Sequence, residues 1–259
     1  MFSIKRQIFE LLIGNKSAQK VLAIALTLKF HADKGGMILN ATYNHIYQLT
    51  GIAPKTLKRY LPTLVKNRLV KFHAGKHLSV SSLRTKHTER NLNLGNLKPG
   101  KFSYVYRQIR ALVFAFCQSR KEFIKRLLLA LHNPKNYEEF KRVKAIVGRL
   151  VRKGIIPGKG HEYEDFGFSY NGIARVTGTC ERTAQRTVKD AVKMKLLTKK
   201  VNKTAYYIPY LNNYPLEWAT YTTKHYAVIV EANTYKLKKK VYEWFQPDSP
   251  LTLSLVAKI

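Results

Sequence analysis

Two stretches of the chain decide how it is read: YNHIYQLTGIAPKTLKRYLPTLVKNRLV, from Tyr43 to Val70, and YNGIARVTGTCERTAQRTVKDAVKMKLL, from Tyr170 to Leu197. They align without a gap at an offset of 127 residues. Tyr43/Tyr170, Asn44/Asn171, Ile46/Ile173, Thr50/Thr177, Gly51/Gly178, Thr56/Thr183, Arg59/Arg186, Val65/Val192, Lys66/Lys193 and Leu69/Leu196 are identical pairs, ten of 28 positions. Self-similarity at a fixed spacing marks a repeated supersecondary unit. Each copy reads as a short helix, a turn at Thr-Gly and a longer helix. Gly51 and Gly178 stand where the first helix must end in a left-handed conformation that glycine adopts without strain. Pro54 opens the second helix of the first copy at a position that needs no N–H. In the other copy Thr179 reads as the N-cap ahead of Glu181, whose charge suits a helix start. Apolar residues recur at helical spacing, Leu57, Leu61, Leu64 and Val65 in one copy and Ala184, Val188, Ala191 and Val192 in the other, and that side faces a core. The opposite face carries Lys55, Thr56, Lys58, Arg59 and Thr63, and in the second copy Arg182, Thr183, Gln185, Arg186 and Lys189.

Outward from each long helix lies a strand–turn–strand pattern, VKFHAGKHLSV from Val70 and LTKKVNKTAYYI from Leu197, with polar turns at Gly75-Lys76 and Asn202-Lys203. Helical patterns near 17–32 and 137–152 precede the two copies and are read as their leading helices. Asn136, three residues before Glu139, marks the start of the second. Helix, helix–turn–helix and basic hairpin in this order resemble a winged helix-turn-helix domain, over residues 17–81 and again over 136–209. That resemblance implies that the second helix of each unit enters the major groove while the hairpin touches the backbone or minor groove. Arg59, Arg182, Gln185 and Arg186 are then candidate base contacts, since arginine and glutamine can pair bidentately with base edges. Lys55, Lys58, Lys76 and Lys203 are candidate phosphate contacts. Thr56, Thr183 and Lys189 complete the exposed faces. Pro62 departs from the pattern: it deletes a helix bond to the carbonyl of Lys58 at a cost of about 3 kcal/mol, so the first long helix is expected to bend or break there.

Charge points the same way. The 259 residues hold 47 Lys plus Arg against 15 Asp plus Glu, a net of +32, and 45% hydrophobic residues, enough for a real core. Such a surface repels itself unless a polyanion neutralises it. Residues 1–90, 91–135, 136–210 and 211–259 carry nets of +13, +8, +9 and +2, summing to +32. The expected organisation follows those divisions: an N-terminal winged-helix unit over 1–90, a linker and helical spacer over 91–135, a second unit over 136–210, and an aromatic extension over 211–259 compatible with helix. That extension holds Trp218, Trp244 and the tyrosines 214, 221, 226, 235 and 242, and is read as a surface for packing or self-association. The fold class is thus mainly α with small β-hairpins, an α+β chain. The spacer, strongly helical over 103–132 with Ile109, Leu112, Val113 and Phe116 on one side, would fix the distance between the units.

Other signals weigh less. The N-terminal MFSIKRQIFELLIG reads as an ordinary first helix, interrupted as an apolar run by Glu10, and no run approaches a membrane span. Cys117 and Cys180 are too few for a disulfide framework and lack metal spacing, so a reducing, cytoplasmic compartment is expected, the nucleoid in a bacterium. GIIPGKG at 154–160 is one residue short of a phosphate-binding loop and has Gly160 where Ser or Thr would hold magnesium. His87 to Arg90 reads as a polar linker, His73 and His77 as imidazoles flanking the first hairpin turn without the further ligands zinc requires, and Glu162, Glu164 and Asp165 as a solvated loop. Cys180, at a helix start, matches Ala53 of the first copy. No catalytic residue, cofactor or metal is expected.

Tandem winged helices in a chain of this size are similar in architecture to replication initiators of plasmids and phages and to regulators of mobile elements. The expected partner is double-stranded DNA, read specifically. A coating or packaging protein with little sequence preference is the alternative, because the charge is spread over 210 residues.

Overall fold

The structure, a computed structural model, is described for residues 3–5, 12–73, 76–81, 91–93, 97–152, 169–217, 219–230 and 233–238. Gly75, the 154–160 loop, His87 to Arg90, the acidic 162–165 cluster, Trp218, Tyr242 and Trp244 lie outside these. The chain is α+β, with helices around small antiparallel sheets. The first repeat comprises α1 (Lys16–His31), β2 (Met37–Ile38), α2 (Tyr43–Thr50), α3 (Pro54–Lys66), β3 (Val70–His73) and β4 (His77–Val80), with sheet order β2-β4-β3. The second comprises α6 (Tyr170–Thr177), α7 (Glu181–Lys193) and β6 (Leu197–Lys200). Between the repeats run α4 (Phe102–His132) and α5 (Tyr137–Arg152).

The 127-residue offset holds at both ends of every shared element, from α2/α6 through α3/α7 to β3/β6. It extends to the stereochemistry. Thr42 and Ser169 cap the short helices through their hydroxyls, Gly51 (φ +71°) and Gly178 (φ +63°) end them, and Arg68 (φ +55°) and Lys195 (φ +56°) end the long ones. Thr50 and Thr177, fully buried, each donate to the carbonyl four residues back, those of Ile46 and Ile173. Three sequence expectations change here. α3 runs unbroken through Pro62; both Pro62 and Lys58 are exposed, so water can serve the orphaned carbonyl. The N-cap of α7 is Cys180, and the hydroxyl of Thr179 instead meets that of Thr177 at 2.8 Å. Val65 and Val192, equivalent residues, are 46% and 42% exposed, while Tyr60 takes a core position.

The two repeats share a foundation. Ile24, Leu28, Ile46, Ile52, Leu57, Leu64, Val70 and Leu78 make a core for the first. A larger core joins α1 (Leu22, Leu26) to α4 and to Ile173, Ala184, Val188 and Ala191 of the second. Residues Ala111 to Cys117 of α4 are buried on every side, the sign of a central helix. α4 is therefore the helix on which α6 and α7 rest, and not a spacer holding two bodies apart. The expected leading helix of the second repeat, 137–152, is present as α5 but packs on α4, burying Val143 and Val147. The N-terminus also departs from expectation: Ser3–Lys5 is a strand, β1, paired antiparallel with β5 (Asn91–Asn93) from the polar linker.

The repeats part company after β3 and β6. β3 turns back on β4 through Lys76 (φ +59°), placing His73 opposite His77. At the equivalent point the chain has Val201-Asn202-Lys203, none with positive φ, and it runs on. β6 pairs instead with β10 (Thr234–Leu237), and β7 (Lys203–Tyr207) with β9 (Tyr226–Val230), which also pairs with β8 (Tyr221–Thr222). The expected hairpin over 197–208 is thus absent, and the aromatic extension, expected to be compatible with helix, supplies strands. β6 then β7 run out and β9 then β10 run back, so the two strand pairs make a ribbon. Leu197 to Tyr207 extended would reach about 35 Å. The base of this ribbon is fastened to α4: Tyr235 meets Phe114 edge-to-face at 5.1 Å, and Gln118 Nε2 donates to the Tyr235 carbonyl at 2.7 Å.

Candidate nucleic-acid interface

Helical periodicity brings Arg182, Gln185, Arg186 and Lys189 onto one face of α7, at spacings of three, one and three. All four are exposed. Their equivalents on α3 are Lys55, Lys58, Arg59 and Pro62, also exposed. α3 contains no acidic residue. α7 contains two, but Glu181 sits in its first turn and Asp190 is buried, so the outer face of α7 is cationic as well. Arg107 of α4 grips Asp190 with two bonds, Nε to Oδ2 at 2.9 Å and Nη2 to Oδ1 at 2.5 Å. The guanidinium is pushed above its usual range chiefly by that bond, and the pair fixes α7 on the core.

Thr56 and Thr183 are half-buried, at the edges of these faces. The Thr183 hydroxyl lies 3.3 Å from Cys180 Sγ, and the thiol is held below its usual range mainly by Thr183, through its side chain and then its backbone N–H. Lys58 and Arg59 lean over tyrosine rings, Lys58 5.3 Å from the centroid of Tyr43 and Arg59 5.9 Å from that of Tyr60. Such cation–π contacts pre-orient long side chains at the surface. Lys76 is exposed at the β3–β4 turn. Lys203 does not occupy a turn: it stands in β7 opposite Val230, its ammonium 5.8 Å from the Tyr221 ring. A two-residue reversal at Lys224 and His225, at the far end of the ribbon, joins β8 to β9, where Thr223 and Tyr226 exchange backbone and hydroxyl bonds.

The structure also assembles cations that have no periodic signature. A groove of about 330 Å³ beside the C-terminal end of α7 is lined by Lys98, Arg107, Lys193 and Lys195 together with Tyr104, Gln108, Met194 and Asp190, the last of these paired with Arg107. Nearby, Arg110 rests 4.8 Å from the Tyr106 ring; burial lowers its guanidinium, and the positive charges of Arg107 and Arg186 lower it further. Some of the positive charge of the connecting segment therefore lies alongside α7. Their separation along the chain, from 98 to 195, hides this cluster from sequence reading. Lys101 has another use: its ammonium donates to the carbonyls of Gln48 and Leu49 and caps the end of α2.

His73 Nε2 lies 2.9 Å from Ser79 Oγ, and no cluster of three or more metal-ligating side chains occurs among the described residues. Among them, too, no helix is long and apolar enough to cross a membrane. Comparison with protein families, with curated proteins and with solved structures finds no match to this chain.

Proposed function

We propose that the protein binds double-stranded DNA in a sequence-specific manner through two winged helix-turn-helix units, α3 and α7 being the groove-entering helices. As a biological role we propose regulation of transcription, or initiation of replication, of a mobile element. The observation that carries the reading is the pair of equivalent long helices with mainly cationic outer faces, seated on two adjoining cores that share α1. An α-helix fits the major groove, where arginine and glutamine distinguish base pairs, and lysine adds phosphate contacts that give affinity without sequence. In the second unit the long ribbon takes the place of a short wing, so Lys224 replaces Lys203 as the cation at its tip.

The test is selection of bound sites from a random duplex library, followed by footprinting. Two protected half-sites are expected, and uniform coverage would instead establish the coating alternative. Arg186→Ala should relax preference at one base pair and cost about 1–3 kcal/mol on the selected site, whereas Lys55→Ala should weaken selected and random duplexes alike and reduce the salt slope by about one. Equal effects of both variants on both duplexes would refute the assignment of α7 as a reader.

A further inference from the structure

We propose that one face of the β7–β9–β8 sheet is a second nucleic-acid site, specific for unpaired nucleotides. Side chains alternate across a strand, so pairing partners share a face. Lys203, Tyr207, Tyr226, Val228 and Tyr221 therefore lie together, a placement that the cation–π contact from Lys203 across to Tyr221 requires independently. Val228 forms a buried floor, while Tyr207, Tyr221 and Tyr226 are 64%, 43% and 45% exposed. Tyr207 and Tyr226 lie opposite one another with ring centroids 5.4 Å apart and planes inclined at 63°. The ribbon is tied to the helical core at its other end, through Tyr235 and Leu237. The tyrosine face is thus presented outward.

Charge selects the occupant. No acidic residue occurs in β7, β8 or β9, and Lys203 and Lys224 stand within and beside the face. A second copy of this +32 chain would set lysine against lysine, whereas a polyanion is attracted. Among polyanions, a duplex keeps its bases stacked on one another, and only an unpaired strand can lay a base on an aromatic ring. Flat aromatic rings interleaved with lysine, on a sheet apart from the α3 and α7 faces, therefore fit single-stranded DNA or RNA. The site does not depend on the duplex-binding reading.

The experiment measures binding of the full chain to labelled oligothymidylate and oligouridylate of about 15 nucleotides by fluorescence anisotropy, with a random duplex in parallel. Tight binding of either oligonucleotide is expected, the preferred one identifying the sugar. Tyr207→Ala and Tyr226→Ala should each weaken it roughly 5- to 100-fold, with the Phe variants near wild type and duplex affinity unchanged. The proposal is overturned if neither oligonucleotide binds, if the Ala variants bind them as wild type does, if Phe fails to rescue, or if duplex binding falls in step. Sedimentation showing a dimer that Tyr207→Ala dissociates, without oligonucleotide binding, would assign the face to self-association. Loss of the selected duplex sites with oligonucleotide binding retained would sink the duplex reading alone.

Discussion

Replacing Gly178 by alanine tests whether the turn of the second repeat is the joint that holds it to the first. Both turn glycines have positive φ, where an L side chain costs about 1–2 kcal/mol, offset by about 0.4–1 kcal/mol because alanine restricts the unfolded chain. Gly51→Ala incurs little beyond this, because its new methyl would meet only the flexible side chain of Lys101 at 3.5 Å. The same methyl on Gly178 would lie 2.7 Å from the Gly14 carbonyl oxygen and 3.2 Å from Lys16 N. That backbone has little room to yield. Gly14 N–H donates to the Val176 carbonyl at 2.7 Å, and the fully buried Gln19 donates to the carbonyls of Leu12 and Thr177 at 2.8 and 3.0 Å. Overpacking of this kind adds about 1–3 kcal/mol. Gly178→Ala should thus cost about 2–4 kcal/mol and Gly51→Ala about 1 kcal/mol, measured as shifts in the urea midpoint at constant slope. Equal losses in the two variants would refute the close contact between the 14–16 segment and the second repeat.

Three further outcomes follow from the same packing. Arg107→Ala leaves the Asp190 carboxylate buried without its partner; because Arg107 is half-exposed the loss should be about 1–2 kcal/mol, and adding Asp190→Ala should restore part of it in a double-mutant cycle of urea midpoints. Burial raises the Tyr235 phenol, so the folded state holds that proton after the unfolded chain has released it near pH 10. Its contribution is present below that pH and is lost as pH rises further. Tyr235→Phe should therefore flatten the alkaline fall in stability, and an unchanged fall would contradict the burial argument. Cys180 is exposed with a lowered thiol and Cys117 is buried in α4, so iodoacetamide should modify Cys180 first and at lower pH than a free thiol would need. Peptide mapping that finds Cys117 labelled at a comparable rate would count against this.

Local chemistry was legible and distant pairing was not. The alignment of Tyr43–Val70 with Tyr170–Leu197 located the helices, and the paired glycines located the turns, because caps and periodicity act within a few residues. The same local reasoning misassigned the partner of β6. Alternation in Leu197–Ile208 shows strands but cannot say which strands pair, and the missing positive φ at Val201-Asn202-Lys203 sends β6 to Thr234–Leu237, beyond the repeat. The role of α4 was hidden for a related reason. Its apolar side was visible in Ile109, Leu112, Val113 and Phe116, whereas its burial on all sides requires α1 and α7 to arrive from opposite ends of the chain. Of the candidate interface, the α3 and α7 faces came from period alone. The Lys98–Arg107–Lys193–Lys195 groove came only from folding.

That shared packing bears on how the two units would act on DNA. Domains joined by a tether sample many separations, and their joint affinity then depends on linker length. Here Gly14, just before α1, and Gln19 within it meet the α6–α7 turn, α1 contributes buried residues to the cores of both repeats, and Arg107 locks α7 to α4. α3 and α7 are accordingly held at one spacing and one relative angle. On the duplex-binding proposal, two such helices can occupy only half-sites whose separation and helical phase match the protein, because the alternative is to bend or twist the duplex at a cost of several kcal/mol. Spacing would then contribute to recognition as much as base contacts do. The large cationic surface would supply the affinity, and the rigid core would decide which sites can use it.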